Sequence, residues 1–149
     1  MKLTAGFTLL TASIASATTL SYDRGYDNAG NPMTGVACSN GNNGLITRYG
    51  FQTYGSIPRF PYIGGSSDIA GWNSAQCGQC YSLSWNGGQP IYILAIDHTL
   101  DGLNISEEAM NALTGGQAEA VGRVDAQVTK VGVDMCGLAP RKRAVEFLA

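Results

Sequence analysis

Charge is scarce in this chain, and neither sign dominates. Lys, Arg, Asp and Glu make up 13% of its 149 residues, and the formal net charge is −2. Proteins that hold nucleic acid through its phosphates need a basic surface, so the composition excludes nucleic acid as a partner. Exposed helix faces are usually filled with Lys, Glu and similar residues. Because these residues are few and glycines number 20, the composition favours a turn-rich β protein over a helical bundle.

Long apolar runs are also missing, and the stretch near the N-terminus is too short and too polar for a membrane span. It covers residues 5–15, follows Lys2, and leads into Ala15-Ser16-Ala17, which has small residues at cleavage-type positions. This pattern is typical of a secretory signal peptide. We therefore predict a signal peptide at 1–17, a mature chain from Thr18, a secreted protein that is extracellular or associated with the cell wall, and no membrane partner. A buried N-terminal helix is the alternative interpretation.

The chain has a single histidine and only four cysteines, Cys38, Cys77, Cys80 and Cys136. A structural zinc site usually combines two close pairs of Cys or His ligands. Only Cys77 and Cys80 form such a pair, and no histidine lies near the other two cysteines. We predict no metal site and no cofactor. An even number of cysteines in a secreted protein favours two disulfides, and their spacing alone leaves three pairings open.

Short patterned segments separated by turn residues follow one another along the rest of the chain. Residues 45–52 alternate between apolar and polar, which predicts a strand. Residues 80–85 and 91–96 are rich in β-formers and are joined through an Asn-Gly-Gly turn, which predicts a hairpin. Residues 105–113 have apolar side chains at helical spacing, and residues 120–133 predict one or two further strands. Together these segments predict a mainly β fold with short helices, in the form of a small closed barrel.

Seven segments of the sequence identify a family. They read SYDRGYD (21–27), VACSNGNNGLITRYG (36–50), IPRFPYIGG (57–65), IAGWNSAQCGQC (69–80), LAIDH (94–98), GRVDA (122–126) and CGL (136–138). With these segments the chain resembles the cerato-platanins, small secreted proteins of filamentous fungi, over a domain at 18–138. Residues 139–149 extend beyond the usual family ending and are predicted to form a disordered tail.

The resemblance implies a fold, a cysteine pairing and a function. The fold is a six-stranded double-ψ β-barrel, like the first domain of expansins and the barwin proteins. The implied disulfides are Cys38–Cys77 and Cys80–Cys136. The implied function is the binding of chitin or N-acetylglucosamine oligosaccharides, with cellulose as a further ligand. It includes expansin-like loosening of cell-wall polysaccharide without hydrolysis, and elicitation of plant defence through a plant receptor.

The run LAIDHT ends on an aspartate and the only histidine, Asp97 and His98. Neighbouring side chains on a strand point to opposite faces, so these two cannot readily form an acid–base dyad with each other. Simple alternation puts Asp97 on the face of Ala95 and His98 on the face of Ile96. The resemblance matches Asp97 to a groove aspartate that is tied to cellulose loosening, and His98 is interpreted as structural.

A carbohydrate groove combines flat aromatic surfaces with a few orienting polar groups. The aromatic candidates are Tyr62, Trp72, Tyr81 and Trp85. The resemblance extends the set by polar or backbone-exposing positions, and the predicted carbohydrate-binding residues are Asp97, Asn104, Gly50, Gln52, Tyr62 and Asn73.

Two other functions are alternatives to a sugar-binding protein. A glycoside hydrolase of the same barrel class needs two carboxylates at a set separation, and Asp101 and Asp125 are the candidates beside Asp97. Neither is a clear partner, so the prediction is a binding protein with no catalytic residues. The second alternative is a surface-active or host-recognised effector whose function needs no sugar site.

Overall fold

The computed structural model of the protein describes Gly6 and residues 16–140. Its strands are β1 Ser16–Tyr22, β2 Ile63–Ser66, β3 Cys80–Ser84, β4 Ile91–His98, β5 Leu103–Ile105 and β6 Arg123–Val131. Its helices are α1 Leu45–Tyr49, α2 Glu107–Thr114 and α3 Ala118–Val121. Short 3₁₀ turns lie at Arg24–Asp27, Met33–Gly35, Tyr54–Ser56 and Val133–Cys136.

The six strands close into a barrel in the order β1-β5-β2-β4-β3-β6, and β6 returns to pair with β1. The β1–β5 and β2–β4 pairs are parallel, and the remaining pairs are antiparallel. Closure leaves no unpaired sheet edge. The structure therefore confirms the mainly β fold class with short helices and the six-stranded barrel that the resemblance implies.

Alternate residues of the strands fill the barrel interior. Leu20 of β1 is fully buried and is in register with Leu103 of β5 and Val124 of β6, which are also buried. Gly64 of β2 lies directly against the β5 backbone. A Cβ at this position would be only 2.4 Å from the Asn104 carbonyl oxygen. A glycine at this position lets the two strands approach closely.

Of the two disulfides, Cys38–Cys77 joins two loops, and Cys80–Cys136 joins β3 to the 3₁₀ turn Val133–Cys136. This confirms the pairing implied by the resemblance, which spacing alone left open. The bridges join residues separated by 39 and 56 positions. Each restricts the unfolded chain, which stabilises a domain of this kind by about 2–4 kcal/mol per bridge.

The structure confirms the predicted hairpin, since β3 and β4 pair antiparallel with Cys80 opposite Leu94. The predicted helix at 105–113 begins later than expected because its first residue belongs to β5. Ser106 caps the N-terminus of α2, where its side chain accepts a hydrogen bond from the Ala109 amide at 3.1 Å. The strand prediction at 120–133 corresponds to β6.

The strand prediction at 45–52 is wrong, because this segment begins with helix α1. The Gly50 amide donates to the Ile46 carbonyl at 2.9 Å, and Gly50 itself has a φ of 76°. A glycine in this left-handed conformation is a common helix C-cap. The Leu45 amide donates to the Cys38 carbonyl at 2.8 Å, so a loop takes the hydrogen bond that a neighbouring strand would have supplied.

Most of the predicted signal peptide at 1–17 and of the predicted tail at 139–149 lies outside the described residues, and both stay predictions. Of the described parts, Ser16 and Ala17 begin β1. The Ala139 carbonyl accepts a hydrogen bond from the Tyr49 hydroxyl at 3.1 Å. Across residue 6 and residues 16–140, no helix has the length and apolar character that a membrane crossing requires.

Candidate functional site

A row of four residues crosses adjacent strands on the outside of the barrel. Ser21 of β1, Asn104 of β5, Gly65 of β2 and Asp97 of β4 are in register with one another. Ser21 Oγ donates a hydrogen bond to Asn104 Oδ1 at 3.0 Å. Both neighbours of Asn104 in β5 are buried, so the Asn104 side chain points outward. We call these four residues the outer row; Gly65 contributes no side chain between the Asn104 amide and the Asp97 carboxylate.

A bulge in β4 places Asp97 in the outer row. Ala95 pairs with Gly64 and Asp97 pairs with Gly65, so Ile96 is an extra residue in β4. An extra residue shifts the alternation of side chains by one position. The register therefore puts Asp97 on the opposite face from Ala95, and the prediction that these two share a face is wrong.

The Asp97 carboxylate is fixed by backbone amides. Its Oδ1 accepts hydrogen bonds from Ala37 N at 2.9 Å and from His98 N at 2.8 Å. The His98 ring instead meets the Ile69 carbonyl oxygen through Nδ1 at 2.5 Å. The Asp97 and His98 side chains thus have separate partners and form no dyad. Within residues 16–140 no hydrogen bond uses Asp97 Oδ2, and this oxygen can accept one from a ligand.

Two tyrosines that the sequence-based prediction omitted lie against the outer row. The Tyr26 hydroxyl is 3.0 Å from the position that a Cβ would take on Gly65. The Tyr26 and Tyr54 rings stack with their centroids 6.0 Å apart. Burial, followed by the negative charge of Asp97, raises the pKa of both phenols above the ordinary value. Both hydroxyls therefore remain protonated at neutral pH and can donate hydrogen bonds.

Asn73 is connected to the outer row through the loop that holds Asp97. Ala37, whose amide donates to Asp97, accepts a hydrogen bond from Asn73 N at its own carbonyl at 3.4 Å. Asn73 is held in turn by Asn43, whose backbone amide donates to Asn73 Oδ1 at 2.9 Å. The structure thus brings Asp97, Asn104 and Asn73 into one region.

The remaining predicted residues lie outside the outer row. The Gln52 carbonyl accepts a hydrogen bond from Met33 N at 2.9 Å, and Gln52 stands two residues before Tyr54, at the margin of the region. Gly50 is the exposed cap of α1. Tyr62 precedes β2 and lines a separate surface pocket of about 380 Å³ with Arg59, Phe60, Pro90, Ile91 and Tyr92.

The two predicted second carboxylates each have a partner other than Asp97. Asp101 forms an ion pair with Arg123 at 3.8 Å. Asp125 accepts a hydrogen bond from the Thr19 hydroxyl at 3.2 Å on β6, a strand that does not neighbour β4. The other carboxylate that acts on the stacked tyrosines is Asp23, whose charge also raises the pKa of both phenols.

A second polar region lies apart from the outer row. It is a cavity of about 330 Å³ whose lining includes Thr18, Ser66, Asp68, Tyr81 and Lys130. The Tyr81 hydroxyl donates to Asp68 Oδ2 at 2.7 Å and lies 3.0 Å from Ser66 Oγ, and burial raises the Tyr81 pKa. Tyr81 therefore belongs to this cavity. Among residues 16–140, no cluster of His, Cys, Asp and Glu side chains could hold a metal ion.

Comparison with known proteins gives one consistent result. A cerato-platanin family model matches residues 18–138. The heat-stable 19 kDa antigen of Coccidioides posadasii is 43% identical over 125 residues, which cover 84% of this chain and 84% of the antigen. The crystal structure of cerato-platanin 2 from M. perniciosa aligns with a TM-score of 0.78 and 48% identity, over 83% of this chain and 100% of that chain. The solution structure of the fungal elicitor cerato-platanin aligns with a TM-score of 0.70 and 40% identity, over 79% and 95% of the two chains.

Proposed function

Because this chain belongs to the cerato-platanin family, we propose that it is a secreted protein that binds chitin-type oligosaccharides of N-acetylglucosamine without hydrolysing them. The family consists of small secreted fungal proteins of the elicitor type. In this proposal the binding site is the outer row together with Tyr26, Tyr54 and Asn73.

The observation that carries the proposal is the alignment of Asn104, Gly65 and Asp97 on three adjacent strands. The Asn104 amide and the Asp97 carboxylate lie on strands that are two strand spacings apart, about 10 Å. The Tyr26 hydroxyl lies between them, above Gly65. A sugar with hydroxyl and acetamido groups can donate to Asp97 and accept from Tyr26, whose hydroxyl lies in the space that the missing side chain of Gly65 leaves.

The non-hydrolytic part of the proposal is supported by the positions of the carboxylates. Common glycosidases place two carboxyl groups on either side of the scissile bond. Asp101 is paired with Arg123, and Asp125 lies on a strand that does not neighbour β4. Asp97 is therefore proposed to bind hydroxyl groups, with no role in cleaving a glycosidic bond.

The proposal extends to cell walls and hosts. A groove that competes for sugar hydroxyls would weaken contacts between glycan chains, which is the expansin-like activity, and cellulose is the further polymer to examine. Elicitation of plant defence is proposed to depend on recognition of surface loops by a plant receptor. These two activities would then use different parts of the same molecule.

The experiment is a titration of the protein with chitin oligosaccharides, followed through amide shifts in NMR spectra. Asp97→Asn keeps an oxygen that can accept from Ala37 and His98 and removes the charge. We expect it to weaken binding about tenfold, the equivalent of about 1.4 kcal/mol. Asp125→Asn, which removes a carboxylate on β6 that is not part of the outer row, is the matched control and should bind as the unmodified protein does.

Two outcomes would contradict the proposal. The first is an absence of shifts around Asp97 in the unmodified protein at any oligosaccharide length. The second is release of reducing ends from chitin or cellulose that disappears in Asp97→Asn and in Asp23→Asn. That second result would identify a hydrolase whose two carboxylates flank Tyr26.

A further inference from the structure

Trp72 is a large apolar side chain kept in solvent. It is 63% exposed, so it contributes little to the core. Its ring is nevertheless held, because Trp72 Nε1 donates a hydrogen bond to Asn40 Oδ1 at 2.6 Å. A Cβ on Gly41 would lie 3.1 Å from Trp72 Cζ2, so the indole also rests against this glycine. An exposed ring with two such restraints is orientated before any ligand arrives.

The backbone under the ring adopts uncommon conformations. Gly41 has a φ of 80°, and Asn73, which follows the tryptophan, has a φ of 60°. Positive φ is infrequent for a residue other than glycine, and such positions concentrate at binding sites. The loop is cross-linked, since Asn43 Nδ2 donates to the Asn73 carbonyl at 3.0 Å. The backbone around Trp72 thus has two positive φ angles and a cross-linking hydrogen bond, although the Trp72 side chain is not part of the core.

The ring lies beside the outer row. Asn73 N donates to the Ala37 carbonyl at 3.4 Å, and Ala37 N donates to Asp97 Oδ1 at 2.9 Å. Ala37 therefore connects the loop that carries Trp72 to the Asp97 carboxylate of the proposed site. In the described part of the chain, no hydrogen bond uses the side-chain nitrogens of Asn40 and Asn73. Asn40 contacts the indole through Oδ1, and Asn73 is the next residue after Trp72.

We infer that Trp72, Asn40 and Asn73 form a stacking subsite for one further N-acetylglucosamine ring of a bound chitin oligosaccharide. This inference rests on the proposed function and adds to it a determinant of ligand length. The flat indole would cover the apolar face of a sugar ring, and the two amides would bond its acetamido or hydroxyl groups. A tryptophan gives a large contact area with few rotatable bonds, and its prior orientation lowers the entropy lost on binding.

The chain provides its own probe for this subsite. It has two tryptophans, and the other one, Trp85, is partly buried and packs against the core. In a Trp85→Phe protein all tryptophan emission comes from Trp72. Stacking of a sugar on the exposed indole removes water from it, so we expect the emission to shift to shorter wavelength when long chitin oligosaccharides are added.

The test compares oligosaccharides of increasing length in Trp72→Ala and in the unmodified protein. We expect Trp72→Ala to bind long oligosaccharides about tenfold more weakly, a loss in the range for a tryptophan that a bound ligand covers. The shortest ligands, which reach only the outer row, should bind both proteins equally. Trp72→Phe keeps an aromatic face and should restore most of the affinity. Circular dichroism and thermal unfolding check that each variant is folded.

The results separate this inference from the proposed function. If the unmodified protein binds and Trp72→Ala binds every length equally well, the subsite is refuted and the outer row stands. If the Trp72 emission of Trp85→Phe does not respond to a ligand that shifts the amides around Asp97, the subsite is also refuted. If the unmodified protein binds no chitin oligosaccharide, the proposed function fails and the subsite fails with it.

Discussion

Asp97 has a structural task as well as a place in the proposed site. A single oxygen of its carboxylate accepts from the amides of Ala37 and His98, and so joins the end of β4 to the loop that leads to Cys38. Removing this acceptor leaves two backbone donors without a partner. A loss of function in Asp97→Ala would therefore combine a lost ligand contact with a displaced loop.

We predict that Asp97→Ala lowers the free energy of unfolding by about 1–3 kcal/mol, the cost of leaving hydrogen-bonding groups unsatisfied in a partly buried place. Asp97→Asn keeps an oxygen in the same position and should lose less than about 1 kcal/mol. Urea unfolding followed by circular dichroism measures both. Equal stability of the two variants would mean that the amides of Ala37 and His98 do not depend on this side chain.

Residue patterns located part of the candidate site. Asp97 and Asn104 were predicted from the resemblance, and both are in register with Gly65 of β2. Tyr26 and Tyr54 were missed, although Tyr26 stands in the quoted segment SYDRGYD. Their stacking depends on how two distant loops meet above β2, and the bulge at Ile96 decides which face Asp97 occupies. Neither fact is visible in a local pattern.

Strand β2 has two adjacent glycines with different surroundings. A Cβ on Gly64 would lie 2.4 Å from the Asn104 carbonyl oxygen, a backbone atom that cannot move without parting the strands. A Cβ on Gly65 would meet the Tyr26 hydroxyl at 3.0 Å and the His98 carbonyl oxygen at 3.1 Å. Gly64 therefore serves the packing of the barrel, and Gly65 leaves the space in which the Tyr26 hydroxyl lies against the outer row.

This difference predicts opposite phenotypes for two alanine substitutions in the same strand. Gly64→Ala should lower the free energy of unfolding by about 1–3 kcal/mol, as overpacking does. Gly65→Ala should leave stability within about 1 kcal/mol, because the reduced freedom of the unfolded chain offsets the tight contact. It should nevertheless weaken chitin binding, since the methyl group displaces the Tyr26 hydroxyl. Chemical unfolding and NMR titration of both variants check this, and full affinity in Gly65→Ala would contradict it.

At the level of elements, the sequence predicted those that local signals define. The β3–β4 hairpin has a turn sequence between two β-rich runs, and α2 has a capping serine and a terminal glycine. The strand prediction at 45–52 was wrong because an alternating pattern over so few residues fits either a strand or one side of a short helix. The amides of Leu45 and Ile46 donate hydrogen bonds to the carbonyls of Cys38 and Ser39. These contacts favour the helix, and they depend on the tertiary fold.

The molecule as a whole contains three tyrosines whose pKa values are raised chiefly by burial: Tyr26, Tyr54 and Tyr81. They belong to three different parts of the chain, and Tyr81 also donates to Asp68. Unfolding exposes all of them. Ionisation of these phenols is therefore coupled to loss of the entire fold.

We predict that stability is insensitive to these phenols below about pH 10, the ordinary pKa of tyrosine, and falls as the pH rises above it. The sign follows from the raised folded-state pKa: the unfolded chain releases these protons first. Each such tyrosine contributes a slope of up to about 1.4 kcal/mol per pH unit. Guanidinium unfolding at a series of alkaline pH values measures the slope, and Tyr81→Phe should reduce it. A free energy of unfolding that stays level up to about pH 12 would contradict the prediction.

The pairing of β1 with β6 brings the predicted start of the mature chain next to the polar cavity. Thr18 is in register with Ala126 and also lines the cavity with Asp68 and Lys130. Cleavage after Ala17 would convert the Thr18 amide into an α-ammonium group, whose ordinary pKa is about 8. Maturation would then do more than shorten β1: it would place a new, weakly acidic cation at the cavity and make its electrostatic potential depend on pH in the neutral range.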